Sequence, residues 1–151
     1  MPQLIVDTPT GPFTLTETDG AITRAGWVGR QHDHTPLLDR AAVQIGEYFA
    51  GTRRVFDLPL AADAPPSRRD FLEALLAIPY GQTRTYGDLA AELGLSAQAA
   101  GTFCGSNPIA VIIPCHRVLG AGGRMVGYSG GQGVETKVAL LKLEGAAGLL
   151  I

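Results

Sequence analysis

The feature that most constrains the fold is a proline- and alanine-rich stretch, residues 60–66, which is the best candidate for a boundary between two parts of the chain. Before this stretch, short alternating segments bounded by turn residues predict a small β-sheet. After it, apolar residues recur at helical spacing. We therefore expect an α+β protein. A small N-terminal module of β-sheet and helix, residues 1–62, precedes a mostly helical, winged-helix-like C-terminal domain, residues 63–151.

The N-terminal module is predicted from three strand-like segments and one amphipathic helix: residues 3–7, 13–17, 21–28 and 36–50. Asp19-Gly20 is typical of a tight hairpin turn, and Pro36 and Gly51 suit the first turn and the end of the helix. His32 and His34 lie in a polar stretch that we expect to be a solvated loop. The module has no cluster of reactive side chains, and we expect it to be structural.

The C-terminal domain is predicted to hold helices over residues 67–77, 85–93, 96–105 and 134–144. Thr85 and Ser96 are candidate N-caps, and Gly94 separates the second and third helices. Two short helices joined at a glycine turn have helix-turn-helix geometry, in which the second helix can enter a DNA groove. Helical hairpins are common, however, so this pattern is a weak indication of DNA binding.

A continuous apolar run, residues 109–113, ends at Pro114-Cys115 and predicts a buried strand or extended segment. A cysteine after such a run can be an ordinary core residue. The following His116 favours a nucleophile, because a thiol needs a base to ionise at neutral pH. Glu144 on the last helix is placed to orient that base, which completes a nucleophile, base and orienter.

The charge distribution permits DNA binding without indicating it. The net charge is −2. Residues 1–65 carry five Lys/Arg against eight Asp/Glu, and residues 66–151 carry seven against six. DNA would therefore meet the C-terminal part through local contacts and not through a large basic field. Cys104 and Cys115 are expected to be free thiols, and no zinc spacing is present. We expect a monomeric, cytoplasmic protein without membrane spans, metal or cofactor.

Several segments together resemble the O6-alkylguanine-DNA alkyltransferases: residues 107–118, 127–131 and 78–90, and more loosely 36–60. The resemblance covers most of the chain and is most specific around Cys115. It implies DNA repair by direct damage reversal. A methylated-DNA–[protein]-cysteine S-methyltransferase of this kind moves the alkyl group of O6-alkylguanine in double-stranded DNA, with O4-alkylthymine as a further substrate, to its own cysteine. The reaction is single-use and needs no cofactor.

The resemblance also implies roles for individual residues. Cys115 would attack the alkyl carbon, and His116 would deprotonate the thiol through a water. Asn107 and Glu144 would hold the imidazole. The helix-turn-helix would bind the minor groove, and the lesion would be rotated out of the duplex into a pocket.

The pocket itself is assigned in the same way. Tyr86 would press on the rotated phosphate and donate to the departing guanine. The carbonyls of Cys115 and Val118 would accept from the guanine amino group, Ser129 would donate to O6, and Tyr128 would wall the pocket. Further expected DNA or lesion contacts are Ala97, Gln98, Ala99, Gly101 and Arg117. The less favoured alternatives are half-buried packing for the tyrosines, a surface acid for Glu144 and a turn residue for Asn107.

One position departs from the family pattern. Gln98 stands where the family usually has an arginine that fills the gap left by the rotated base, and glutamine lacks the charge and planar reach of arginine. One alternative is therefore a non-catalytic lesion-binding protein, although related proteins of that type usually have tryptophan in place of Cys115. The other is a Cys–His hydrolase using Cys115, His116 and Glu144.

Overall fold

The computed structural model describes residues 1–125, 128 and 130–146. These residues form two compact units, and the α+β class expected from the sequence is confirmed. The first unit is Met1–Asp63 together with Pro108–Ile112, which returns to it from far along the chain. The second comprises Ala64–Asn107 and the described residues from Ile113 onward.

The first unit is an antiparallel meander packed on one helix. Its strands are β1 (Gln3–Thr8), β2 (Gly11–Thr18) and β3 (Ala21–Gly26), in the order β1-β2-β3. The predicted hairpin turn is confirmed: Asp19 and Gly20 both have positive φ, +50° and +79°, as a two-residue turn between twisted strands requires. Strand β3 ends at Gly26, two residues earlier than predicted.

Helix α1 (Pro36–Phe49) packs on β1 and β2. Thr35 caps it by accepting from the N–H of Leu38 at 3.0 Å, and Pro36 occupies the first turn, where a missing N–H costs no hydrogen bond. The buried face of the sheet and helix forms one core: Leu4, Phe13, Leu15, Ile22, Ala25, Leu38, Ala41, Ile45 and Tyr48.

The second unit is mostly helical. Its helices are α2 (Arg69–Leu76), α3 (Tyr86–Leu93), α4 (Ala97–Gly105) and α5 (Val134–Glu144). A 3-10 turn, Pro66–Arg68, leads into α2. The strands β4 (Arg84–Thr85) and β5 (Val118–Leu119) pair in parallel; the sequence did not predict this pairing, because two-residue strands have no readable period.

The predicted helix-turn-helix is formed by α3 and α4, which pack on each other. Thr85 and Asp88 close a capping box at the start of α3, and Gly94 ends it with a left-handed φ of +69°. Ser96 then caps α4 by accepting from the N–H of Ala99 at 3.0 Å. Both N-caps expected from the sequence are therefore present.

Candidate active site

The apolar run before the cysteine is buried, as predicted, but it turns sharply and is neither the strand nor the extended segment that the sequence predicts. Ile109 forms a β-bridge with Ala25. Two residues later, Val111 has a φ of +69°, and the residues on either side of it are joined by an N–H to carbonyl bond of 2.8 Å. This is a tight γ-turn, and a β-branched residue in it is strained by on the order of 1–3 kcal/mol. Burial of the Val111 side chain offsets that strain.

A second tight turn places the cysteine. Pro114 has φ −84° and ψ 65°, and the N–H of Cys115 donates to the carbonyl of Ile113 at 2.9 Å, as in an inverse γ-turn. The next three residues, Cys115–Arg117, form a 3-10 turn. All three side chains are buried. A thiol, an imidazole and a guanidinium therefore follow one another inside the protein.

A buried carboxylate joins the two charged or basic members of this turn. Nε2 of His116 lies 2.8 Å from Oε2 of Glu144, the last residue of α5. The same carboxylate accepts from Nε of Arg117 at 2.8 Å and from Nη2 at 3.0 Å. The contact of Arg117 with DNA or the lesion stays a prediction; its guanidinium is buried and donates to Glu144 and, at 2.7 Å, to the carbonyl of Ile78.

The protonation states of this cluster follow from burial and charge. Burial raises the pKa of Glu144, but the hydrogen bonds and charges of His116 and Arg117 outweigh burial and bring it to about 2. Burial lowers the pKa of His116, against the opposing effect of Glu144. The carboxylate is therefore ionised, its charge is balanced by Arg117, and the imidazole is neutral at neutral pH.

The second nitrogen of the imidazole is the chemically important one. With Nε2–H donating to Glu144, Nδ1 of the neutral ring carries a lone pair. Nδ1 is buried, and none of the groups in residues 1–125, 128 and 130–146 hydrogen-bonds it. A buried acceptor without a protein partner is a position for a water or a reacting proton.

The thiol of Cys115 has its own polar neighbours. The side chain of Asn107 hydrogen-bonds the thiol, and its Nδ2 donates to the carbonyl of Ile113 at 2.8 Å. Burial raises the pKa of Cys115, while Asn107 and the charge of Lys137 lower it. The role of Asn107 in holding the imidazole stays a prediction; the hydrogen bond described for the His116 ring goes to Glu144.

Lys137 is a site residue that the sequence analysis missed. It lies on α5 and is fully buried, with Nζ donating to the carbonyl of Val118 at 2.5 Å and lying 5.5 Å from the ring centroid of Tyr86. Burial lowers its pKa, and the two cysteines oppose that effect. Its seven-residue spacing from Glu144 puts both on one helical face, which is the signal that could have identified it.

Two tyrosines lie close to the thiols. Burial raises the pKa of Tyr86, the first residue of α3, and the charges of Cys104 and Cys115 add to that effect. Burial likewise raises the pKa of Tyr128, with Cys115 contributing. Both phenols therefore keep their protons at neutral pH and can act as donors.

The loop at residues 78–81 contacts Arg117 and the end of α5, which carries the carboxylate of Glu144. Besides the bond from Arg117 to Ile78, the hydroxyl of Tyr80 donates to the carbonyl of Leu143 at 3.3 Å. Gly81 has a φ of +81°, and a Cβ there would lie 3.3 Å from the carbonyl oxygen of Glu144. A side chain at this position would be both strained and crowded against the end of α5.

The residues expected to contact DNA on α4 are placed on its accessible side. Ala97 and Gln98 are exposed, and Ala99 and Gly101 are half-buried, whereas Cys104 faces the core. Ser129, expected to donate to O6, lies outside the described residues, as does Gly127 of the same segment.

Within the described ranges, no three His, Cys, Asp or Glu side chains come together as a metal site. In the same part of the chain, no helix has the length and apolar character needed to cross a bilayer.

Two family profiles together match nearly the whole chain. The "6-O-methylguanine DNA methyltransferase, DNA binding domain" matches residues 66–146, and the "6-O-methylguanine DNA methyltransferase, ribonuclease-like domain" matches residues 4–62. The active-site residues described above all fall in the first of these matches.

Individual relatives match over nearly their full length. The chain is 39% identical over 149 residues to the methylated-DNA–protein-cysteine methyltransferase of Mycobacterium tuberculosis, covering 92% of this chain and 89% of the relative. It is 36% identical over 153 residues to the protein of that name from Methanosarcina acetivorans, covering 94% and 97%. The solved structure of Mycobacterium tuberculosis OGT in complex with DNA superposes with a TM-score of 0.85 at 38% identity, covering 95% of this chain and 92% of that one.

Proposed function

The chain belongs to the 6-O-methylguanine DNA methyltransferase family, and on that basis we propose that it repairs DNA by moving an alkyl group from O6-alkylguanine onto its own Cys115. The observation that carries the assignment of residues is the buried pair of His116 and Glu144 directly beside the thiol turn. It provides a neutral base whose available nitrogen is Nδ1.

The proposed reaction begins with the thiol proton. Because burial raises the pKa of Cys115, the thiol is protonated at rest and needs a base at the moment of attack. Nδ1 of His116 accepts the proton through a water, and the imidazolium formed is stabilised by the ionised Glu144. Asn107 and Lys137 favour the thiolate by a hydrogen bond and by charge.

The thiolate then displaces guanine. A bond forms between sulfur and the alkyl carbon, the bond from that carbon to O6 breaks, and its electron pair stays with the base. The neutral phenol of Tyr86 donates a proton to the departing guanine and regains one from solvent, to which His116 releases the proton that it took from the thiol. Guanine is restored, Cys115 becomes a thioether, and the protein is consumed, since no step regenerates the thiol.

The lesion has to leave the duplex to reach a buried thiol. We propose that α3 and α4 bind the minor groove and that α4 is the helix that enters it. The exposed side chain of Gln98 then fills the space left by the rotated base. The carbonyl of Val118 accepts from the guanine amino group, and Lys137 orients that carbonyl through its own bond to it. Tyr128 and Ser129 complete the pocket in this proposal.

We propose that residues 63–151 carry DNA binding and chemistry, and that residues 1–62 are structural. The catalytic residues come from one chain, which supports a monomer. The two free cysteines support a reducing compartment, the cytoplasm. The lesion-binding alternative is not favoured, because Cys115 is retained and the relatives carry transferase names.

The test is the intact mass of the protein after incubation with a duplex that contains one O6-methylguanine. We expect a gain of one methylene, located on Cys115 by peptide mapping and limited to one equivalent. Cys115→Ala should show no gain, whereas the matched control Cys104→Ala should retain it. Tight binding without any gain would support the lesion-binding alternative, and repeated turnover on an ester or amide would support a hydrolase.

A further inference from the structure

We propose that Arg68, which precedes the helix-turn-helix in sequence, supplies the cation through which the α4 surface contacts the phosphodiester backbone of DNA. The inference rests on the proposed function, because it requires that DNA is the partner. It concerns a residue that neither the sequence pattern nor the chemistry of Cys115 singles out.

The first observation is that α4 has no charge of its own. Residues 96–106, which include the helix and both caps, contain no Asp, Glu, Lys or Arg. The exposed positions Gln98, Thr102 and Ser106 are neutral. A surface that binds a polyanion gains most of its sequence-independent affinity from Lys and Arg that neutralise phosphates. The α4 surface therefore requires a cation from a neighbouring element.

Arg68 is held on that surface by two contacts. Its Cζ lies 4.1 Å from the ring centroid of Phe103, and its Nη1 donates to Oγ of Ser106. Phe103 is fixed in turn by an edge-to-face contact with Phe71, with 5.5 Å between the centroids. Stacking on a fixed ring removes rotamer freedom during folding, so less is lost when the guanidinium binds a partner.

The guanidinium has no carboxylate to satisfy it. In the described part of the chain, Arg68 makes no ion pair, whereas Arg84 beside α3 is paired with Glu92 at 3.0 Å. Ser106 takes one of the five N–H donors of Arg68, and a stacked ring leaves the edges of the planar fork accessible. That fork matches the two oxygens of a phosphate. Arg68 is held in place and has no carboxylate partner among the described residues, so its guanidinium is available to bind an anion from solution.

A purely structural role is the competing explanation, since Arg68 also connects the start of α2 to the end of α4. The two roles differ in their salt dependence. A phosphate contact contributes about 0.9 to the slope of log affinity against log salt concentration, and a structural contact contributes nothing to it. The slope therefore separates the two, even where the affinity falls in both.

The experiment measures binding of undamaged and O6-methylguanine duplexes between low and moderate salt for wild type, Arg68→Gln and Arg24→Gln. Arg24 is the matched control, because it is an exposed arginine of the first unit and is paired with Asp63. We expect Arg68→Gln to bind both duplexes several-fold more weakly at low salt, with a slope shallower by about 0.9. Arg24→Gln should retain the wild-type slope.

Two further variants keep the test decisive. Arg68→Lys keeps the charge and should keep the slope, even if Arg68→Gln folds poorly. Phe103→Leu removes the stacking ring and should weaken DNA binding when it is made in the wild type. Made in Arg68→Gln, it should weaken binding no further, because the two residues act as one unit. A wild-type slope in Arg68→Gln overturns the inference. A wild type that neither binds DNA nor gains a methylene overturns the proposed function instead.

Discussion

The carboxylate of Glu144 lies 2.8 Å from Nε2 of His116, and both side chains are completely buried. The two residues are 28 positions apart in the sequence. Because Glu144, at the end of α5, holds Nε2 of His116, Nδ1 is the ring nitrogen that can accept a proton. Arg117 binds the same carboxylate and balances its charge. The stability of this cluster and its chemistry are therefore linked.

Glu144→Gln should destabilise the protein and slow alkyl transfer. The substitution leaves the buried guanidinium of Arg117 without its counter-charge, and breaking a buried pair costs about 3–5 kcal/mol. Urea unfolding measures the first effect and single-turnover kinetics the second. Glu135→Gln, an exposed position on the same helix, should change stability by less than about 0.5 kcal/mol. Equal stability of the two variants would contradict the pairing.

The lowered pKa of Glu144 should make the folded protein less stable in acid. The pKa of Glu144 is about 2 in the folded protein against an ordinary value of 4.5. Because the pKa of Glu144 is lower in the folded than in the unfolded protein, its ionised carboxylate stabilises the fold above the unfolded pKa. This stabilisation is lost as the pH falls through the folded pKa. Wild-type stability should therefore decline between pH 4.5 and about 2 more steeply than that of Glu144→Gln. Urea midpoints across this range check the difference, and parallel curves would contradict it.

His116→Ala should slow transfer by about 10²–10⁴-fold near neutral pH, the usual contribution of a positioned base. Because burial lowers the pKa of His116, the wild-type rate should stay level as the pH falls through 6.5 and decline only below it. At high pH the rates of the two proteins should converge, since hydroxide then ionises the thiol. A decline centred at 6.5 would indicate a solvated imidazole.

Lys137→Met should lower the reactivity of Cys115, because methionine keeps the buried chain but removes the charge that favours the thiolate. The pKa of the thiol, followed by its rate of alkylation with iodoacetamide against pH, should rise. Transfer from DNA should slow in the same variant, since the carbonyl of Val118 also loses its donor. Lys142→Met, exposed on the same helix, is the control and should match the wild type in both measurements.

Gln98→Arg should strengthen DNA binding and accelerate repair in duplex DNA. Gln98 is exposed near the start of α4, and an arginine there would add a cation to an uncharged helix. The dependence of log affinity on log salt should become steeper by about 0.9. If the variant instead weakens both affinity and repair, Gln98 does not occupy the place of the rotated base.

Much of the fold was predictable because its signals are local. The caps at Thr85 and Ser96, the turn at Asp19-Gly20 and the helical periods each depend on residues within one or two turns along the chain. Cys115 could also be proposed as the nucleophile, because His and Arg follow it directly and because several segments resemble a known family.

The sequence could not place the side chains that depend on distant partners. Arg117 is charged, and by composition it belongs on the surface; only the carboxylate of Glu144 and the carbonyl of Ile78 make its burial favourable. Val111 turns the chain at a φ that its own side chain disfavours, because burial outweighs the local cost.

The amino-acid sequence by itself thus determined most of the helices, the hairpin strands and the family, and it proposed the nucleophile. The tertiary structure decided that Arg117 supports Glu144, that Lys137 lies inside the site and that Arg68 rests on Phe103. The physical reason is that helices and turns are stabilised by neighbours in the chain. The position of a charge depends instead on the balance between its desolvation and partners that only the folded chain brings together.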